Sequence, residues 1–325
     1  MYYDTKIQKS NNKCKTTWEI IKKLTNNHHS HTEIQELMVG NKHLKDQQDI
    51  TDAFNDYFSS IIDNINKNKV NNKNNNAKVF TTQYYLEQNY AHPPLSLVIK
   101  TFSTKDITSI IKALKTKNSH QFDEISVKLL KVSATYICSP LTHICNKSIL
   151  SGIFPDCMKF SVVKPIYKKG NKMNPTNYRP ISLLISFSKV FEKALYNRIT
   201  KHWNTNNLLV GNQFSFRKGT ATKDAIFKLT NEILKALNNK TLAGSIFCDL
   251  EKAFDSVNHD ILLSKLSYYG ISGKVKSLLK SYLQNRYQRV LITNSLFNSN
   301  TVSKWTNMWG AAGLTFRPFA IPIIH

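Results

Sequence analysis

Two carboxylates stand six positions apart in FCDLEKAFDSVNHDIL (residues 247–262), Asp249 at the end of an apolar run and Asp255 beyond it. Carboxylates gathered in this way are the ordinary means of holding a divalent cation. The acid then stops: the 65 residues after Asp260 contain no Asp or Glu. Asp249 belongs to LAGSIFCDL (242–250), where Ala243, Ser245, Phe247 and Asp249 alternate against Gly244, Ile246, Cys248 and Leu250. That period of two predicts a short buried strand with Asp249 near its carboxyl end. A carboxylate buried there needs a cation, a helix amino terminus or a metal beside it. Two readings stay open, a structural pair with Lys or Arg and a metal site.

Cations with chemistry to offer lie upstream. FSVVKPIYKKG predicts a short β-branched strand carrying Lys164, Lys168 and Lys169, with Gly170 opening a polar loop. NYRPISLL follows, with Arg179 beside Pro180. Lys and Arg projecting from such a hairpin suit phosphate oxygens, and a solvated basic hairpin has the same look. QFSFRKG (213–219) adds an aromatic and basic loop. Other candidates read as structural. His28, His29 and His31 have no carboxylate or Cys at ligand spacing, and Cys138, His143 and Cys145 fall at core positions of a helical run. Five scattered cysteines without a C-x-x-C pair argue for reduced thiols rather than disulfides or a zinc ribbon.

The elements that must position these groups are mostly helical. Ile50, Phe54, Phe58, Ile61, Ile62 and Ile65 recur at helical spacing. NKNKVNNKNNNAK (66–78) then breaks the pattern with almost nothing to bury, and reads as a linker. Ser103 or Thr104 caps a helix bearing Ile107, Ile110, Ile111 and Leu114, and residues 126–152 continue helically to Gly152. Thr222 caps a helix whose face is Ile226, Leu229, Ile233, Leu234 and Leu237; Asn258 or His259 caps DILLSKLSYYG; KVKSLLKSYLQ and RYQRVLI read as a helix and a strand. The formal charge is +24, from 45 Lys and Arg against 21 Asp and Glu, which points to a polyanionic partner such as nucleic acid. No apolar stretch approaches a membrane span and the amino terminus is polar, so an intracellular chain of cytoplasm or nucleus is expected, with no membrane partner. No protein partner is inferable.

Between about residues 95 and 305 the chain resembles the reverse transcriptases of non-LTR retrotransposons, especially jockey-like elements. KTKNSHQFDEISVKLLK resembles the first conserved block, VVKPIYKKG and NYRPISLL the fingers hairpin, QFSFRKGTATKDAI the next fingers block, and FCDLEKAFDSVNHDILLSKL the first catalytic motif of the palm. IQELMVGNKHLKDQQDITDAFNDYFSSI resembles the segment that joins endonuclease to polymerase in such elements. The resemblance implies an α+β right-hand polymerase fold, with fingers and the first part of the palm present and the thumb absent. It divides the chain into a partly helical joining segment (1–65), an Asn- and Lys-rich linker (66–94), a partial polymerase domain (95–308) and a tail (309–325). It implies RNA-directed DNA polymerisation, with RNA template, DNA primer and deoxynucleoside triphosphate as partners and Mg²⁺ as cofactor. It makes Asp249 the catalytic, metal-binding aspartate, with the Leu250 backbone carbonyl as a further ligand. Phe254 matches the aromatic under the incoming sugar, Arg179 the Arg over the triphosphate and, more loosely, Lys168 the fingers Lys; Asp255 becomes a capping or hydrogen-bonding residue of the turn.

Three departures qualify this. Gly usually stands where this chain has Gln121 and Glu124, so that turn is expected to be strained. The family's PQG loop and its paired aspartates are missing, since the sequence contains no Asp-Asp pair. The tail WGAAGLTFRPFAIPIIH matches nothing in the family, yet synonymous codons read one nucleotide later spell G-V-P-Q-G-S-L-L-G-P. The expectation is a frameshift close to Met308 or Trp309, a two-metal site left incomplete, and a truncated chain without polymerase activity. The alternative is a non-catalytic nucleic-acid-binding fragment.

Overall fold

The computed structural model describes residues 2–8, 10, 13–24, 34–70, 96–116, 122–249, 257–294 and 299–308. Apolar residues at helical spacing build the larger of two cores. Helix α1 (Tyr2–Gln8) and helix α2 (Lys13–Leu24) precede a β-hairpin of β1 (Leu37–Val39) and β2 (Lys42–Leu44), which leads into α3 (Gln47–Val70). Then come α4 (Thr104–Ala113), α5 (Val127–Val132) and α6 (Ala134–Ser151). Ser103 begins α4 with a reciprocal capping box: its Oγ accepts from the Asp106 N–H, and Asp106 Oδ2 accepts from the Ser103 N–H. The Ser103 N–H, helped by the Ser103 hydroxyl and the Arg198 guanidinium 3.3 Å away, outweighs burial and holds the Asp106 carboxyl below its ordinary value. Ile107, Ile110 and Ile111 are the buried stripe of α4. Helix α6 ends as expected at Gly152, which takes the left-handed conformation at φ 72°.

Packed against these are α7 (Ser186–Thr205), α9 (His259–Tyr268) and α10 (Gly273–Leu283), with α8 (Thr222–Asn238) between α7 and α9 in the chain. One apolar cluster joins α4, α5, α6, α7, α9 and α10, running from Ile107 and Leu130 through Cys138, Cys145, Phe191 and Trp203 to Leu266 and Leu278. Phe154 sits inside it, stacked on Phe191 at 5.2 Å and edge-on to Tyr282 at 4.8 Å. Cys138 and Cys145 are thus core residues, and burial pushes the Cys145 thiol up to about 12.

The second core belongs to a sheet. Strands β3 (Phe160–Tyr167) and β4 (Tyr178–Leu184) form the antiparallel hairpin that the sequence predicts, with Lys164 opposite Ile181 and Ile166 opposite Arg179. Strand β5 (Arg286–Asn294) adds parallel to β3, and β6 (Ser299–Val302) and β7 (Thr306–Met308) pair antiparallel with its two halves, giving the order β4-β3-β5-β6 with β7 also on β5. Helix α3 covers one face. Ile50, Phe54 and Phe58 pack on Val163, Tyr178, Val290 and Ile292, and Asn55 bonds both Thr306 and Gln288. Its backbone stays helical through Val70, into the stretch that reads as linker; the rest of that linker (71–94) lies outside the described residues.

Two expectations need correction. Residues 242–249 form no strand, and Ile246 and Phe247 are 91% and 83% exposed. Helix α8 forms where its periodicity places it, but it starts at Thr222 itself, with Ala221 rather than Thr222 in the cap position, and none of its residues is buried. The two failures share a cause. A strand needs a neighbouring strand for its N–H and C=O groups and an amphipathic helix needs a surface under its apolar stripe, and neither partner occurs among the described residues.

Candidate functional site

Strand alternation sorts the chemistry of the sheet. Side chains two apart on a strand share a face, and the register therefore puts Ser161, Val163, Tyr178 and Val290 toward α3. The opposite, open face receives Phe160, Val162, Lys164 and Ile166 from β3, Arg179 and Ile181 from β4, and Tyr287 and Arg289 from β5. Lys168 extends the same row, because its N–H donates to the Asn177 carbonyl at 2.8 Å and continues the ladder.

Arg179 stands directly across from Ile166. Its diagonal neighbours on the other strand are therefore Lys164 and Lys168, within reach of long side chains. Arg179 and Lys168 are exposed, as are Ile166 and Ile181 between the cations. Among the described residues none of the three cations is tied up in an ion pair. Two lysines four residues apart, with Arg179 across from the position between them and an exposed apolar floor around them, can neutralise a run of phosphates, the guanidinium gripping oxygens in pairs and the ammonium groups acting as point charges.

Deeper on the same face lies an aromatic group. Phe160 stacks on Tyr287 at 5.3 Å, and Trp305 meets Phe160 edge-on at 5.0 Å and Phe122 at 5.6 Å. The Arg289 guanidinium lies 4.7 Å over the Trp305 ring. Phe122 comes from the turn before α5, which also holds Asp123 and Glu124. Asp123 Oδ1 accepts from the Ile125 N–H at 3.2 Å, while burial pushes its carboxyl above the ordinary value. Glu124 has φ 55°, so the strain expected there is present; Gln121 lies outside the described residues.

The loop QFSFRKG is braced by its own groups. Thr220 Oγ1 donates to the Phe214 carbonyl at 2.9 Å and the Arg217 guanidinium to the Val210 carbonyl at 3.0 Å. Phe216, at φ 60°, is left exposed.

Asp249 is exposed, on the irregular stretch described above, rather than buried at a strand end. Among the described residues no group of three His, Cys, Asp or Glu comes together that could hold a metal ion. Leu250, Phe254 and Asp255 lie outside the described residues.

The hairpin thus brings Arg179 and Lys168 together, with Asp249 on a separate segment. Lys164 was legible as a basic strand residue but not as a neighbour of Arg179. Its parity with Lys168 carries that signal, as the parity of Tyr287 with Arg289 in RYQRV carries the second. The contacts of Trp305 and Phe122 span most of the chain and leave no local trace.

The chain has relatives among known proteins. The family model for reverse transcriptase (RNA-dependent DNA polymerase) matches residues 166–307. A probable RNA-directed DNA polymerase from transposon BS of Drosophila melanogaster is 34% identical over 224 residues, covering 66% of this chain and 24% of that protein. The RNA-directed DNA polymerase from mobile element jockey of Drosophila funebris is 31% identical over 183 residues, covering 56% of this chain and 20% of that protein. The corresponding protein of transposon X-element from Drosophila melanogaster is 29% identical over 216 residues, covering 64% and 23%. The chain therefore spans about a quarter or less of the length of these relatives. The matched region is thus a reverse-transcriptase domain similar to those of non-LTR retrotransposons.

Proposed function

We propose that the open sheet face is where this chain meets nucleotide and nucleic acid in RNA-directed DNA synthesis. The observation that carries the reading is the placement of Arg179 between Lys164 and Lys168 on a face with no ion-pair partner for any of them among the described residues. Arg179 and Lys168 bind the phosphates of an incoming deoxynucleoside triphosphate, and Lys164 completes the cationic row. Phe254 packs against the sugar. The aromatic group of Phe122, Phe160, Tyr287 and Trp305 braces the floor of the same face behind the cations. RNA template and DNA primer lie along a surface whose charge suits both.

Asp249 and the Leu250 carbonyl are the groups that this chain offers to Mg²⁺, which in such polymerases neutralises charge on the transferring phosphoryl group. The 325 residues supply no acid after Asp260. We therefore expect binding without synthesis, and the exposed position of Asp249 favours the second reading of a non-catalytic nucleic-acid-binding piece for the chain on its own. The test is primer extension by the purified chain on an RNA template with Mg²⁺ and all four deoxynucleotides. No extended product is expected. Mg²⁺-dependent extension above a protein-free control would contradict the reading.

A further inference from the structure

Trp305 stands at the aromatic end of the open sheet face with 37% of it exposed, while Phe122, Phe160 and Tyr287 beside it are each more deeply covered. The backbone that carries it is pinned. The Ser303 N–H donates to the Val290 carbonyl at 3.0 Å, the Val290 N–H to Ser303 Oγ at 2.8 Å, and Asn55 Nδ2 to the Lys304 carbonyl at 3.3 Å. The ring is fixed as well. Phe160 and Phe122 meet it nearly at right angles, at 81° and 84°, and the Arg289 guanidinium lies 4.7 Å over it.

A large aromatic held this rigidly loses little conformational freedom when something is laid against it, so its exposed part is a ready stacking surface. Its surroundings select the ligand. Arg289 touches the ring and Lys304 precedes it in the chain, while the acid at this end, Asp123, sits beside the Lys189 charge. An aromatic plane set among cations suits a nucleobase with its phosphates: every base offers a π-face, and a guanidinium plane stacks on bases as an aromatic ring does. An apolar side chain of a protein partner would gain nothing from those cations. Phe160 stands four residues before Lys164 on β3, roughly 13 Å along the strand. A stacked strand of nucleic acid advances about 3.4 Å per nucleotide, so about four nucleotides connect the two ends. Val162 lies buried between them, which makes the aromatic and cationic ends separate points of contact.

We infer that Trp305, backed by Arg289, is a stacking site for an unpaired base of single-stranded RNA, at a distance along the strand from the phosphates held by Lys164, Lys168 and Arg179. The inference rests on the functional reading for the identity of its ligand, and adds to it a contact that senses base rather than phosphate. A base inside a duplex is already stacked on both sides and does not reach the ring, so the site selects unpaired over paired RNA. Phe122 and Phe160 position the ring, and Trp305 is the residue that touches the base.

The test measures binding by the full chain of a short single-stranded RNA, the same strand with abasic residues, and the same strand fully paired. Trp305→Leu is expected to weaken binding of the single strand roughly five- to a hundredfold. The slope of log Kd against log salt stays unchanged, because no phosphate contact is lost. The abasic strand and the duplex bind both proteins equally, and Trp305→Phe keeps most of the affinity. Fluorescence supplies the second readout: the single strand quenches the emission due to Trp305, taken as the difference between the unaltered chain and Trp305→Phe, and the abasic strand does not. Affinity indifferent to Trp305→Leu, or an equal loss on the abasic strand, overturns the inference. So does quenching of Trp305 that grows with protein concentration in the absence of RNA, which marks a second copy of the chain as the occupant. Should Trp305→Leu not fold, the Trp305 difference emission decides it. Indifference to Trp305→Leu, with a salt slope that still falls in Lys164→Ala/Lys168→Ala/Arg179→Ala, leaves the functional reading standing; the Trp305 effect with an unchanged slope in that triple variant does the reverse.

Discussion

Glu124 holds φ 55° in the turn before α5 with its side chain exposed. A side chain with a Cβ is strained there and glycine is not, so Glu124→Gly removes strain without removing packing. The expected result is a gain of up to about 1 kcal/mol in urea unfolding, after allowing for the entropy that glycine adds to the unfolded chain. A loss of similar size would mean that the carboxylate or the Cβ has a role in the turn. This strain was legible in the sequence, because it depends only on which residue occupies a position that needs glycine. The state of Asp249 was not legible in the same way. Its burial was inferred from alternation in 242–250, and alternation describes a strand only when another strand is there to pair with it.

At the scale of elements, helix α8 makes the same distinction. Its period and length were readable, and it forms over Thr222–Asn238. Its burial was not readable, because amphipathicity says which face is apolar and nothing of what covers it. Ile226, Phe227, Leu234 and Leu237 are all at least half exposed, and they run on toward exposed Leu242, Ile246 and Phe247. Replacing Ile226 and Leu237 together with Gln is expected to shift folding stability by no more than about 0.5 kcal/mol, as for other surface positions, and to reduce self-association in sedimentation velocity. A loss of several times that figure would show that the stripe is covered in the free chain. Helix α3 shows the opposite case. Its stripe was readable, and its partner proved to be the sheet of β3, β4 and β5, through contacts more than a hundred residues apart in the chain.

For the whole molecule, composition pointed to a polyanionic partner, and the fold gathers part of the +24 charge on one sheet face. The hairpin and its pairing were legible from β-branched runs around a polar loop, and once the register is known the cations sort themselves onto one face. What the sequence kept hidden was the parallel addition of β5 to β3, which brings Tyr287 and Arg289 to that face from over a hundred residues away. No described helix is long and apolar enough to cross a membrane. On the proposed reading the open face, rather than diffuse surface charge, binds the phosphates. Its most direct test is the salt dependence of binding to a labelled RNA template–DNA primer hybrid, comparing Lys164→Ala/Lys168→Ala/Arg179→Ala with a control, Lys223→Ala/Lys228→Ala/Lys235→Ala on α8. The face variant is expected to lower the slope of log Kd against log salt by about 2 to 3 units, near one for each phosphate contact removed, with the control nearly unchanged. An unchanged slope in the face variant, or an equal fall in both, would contradict the account.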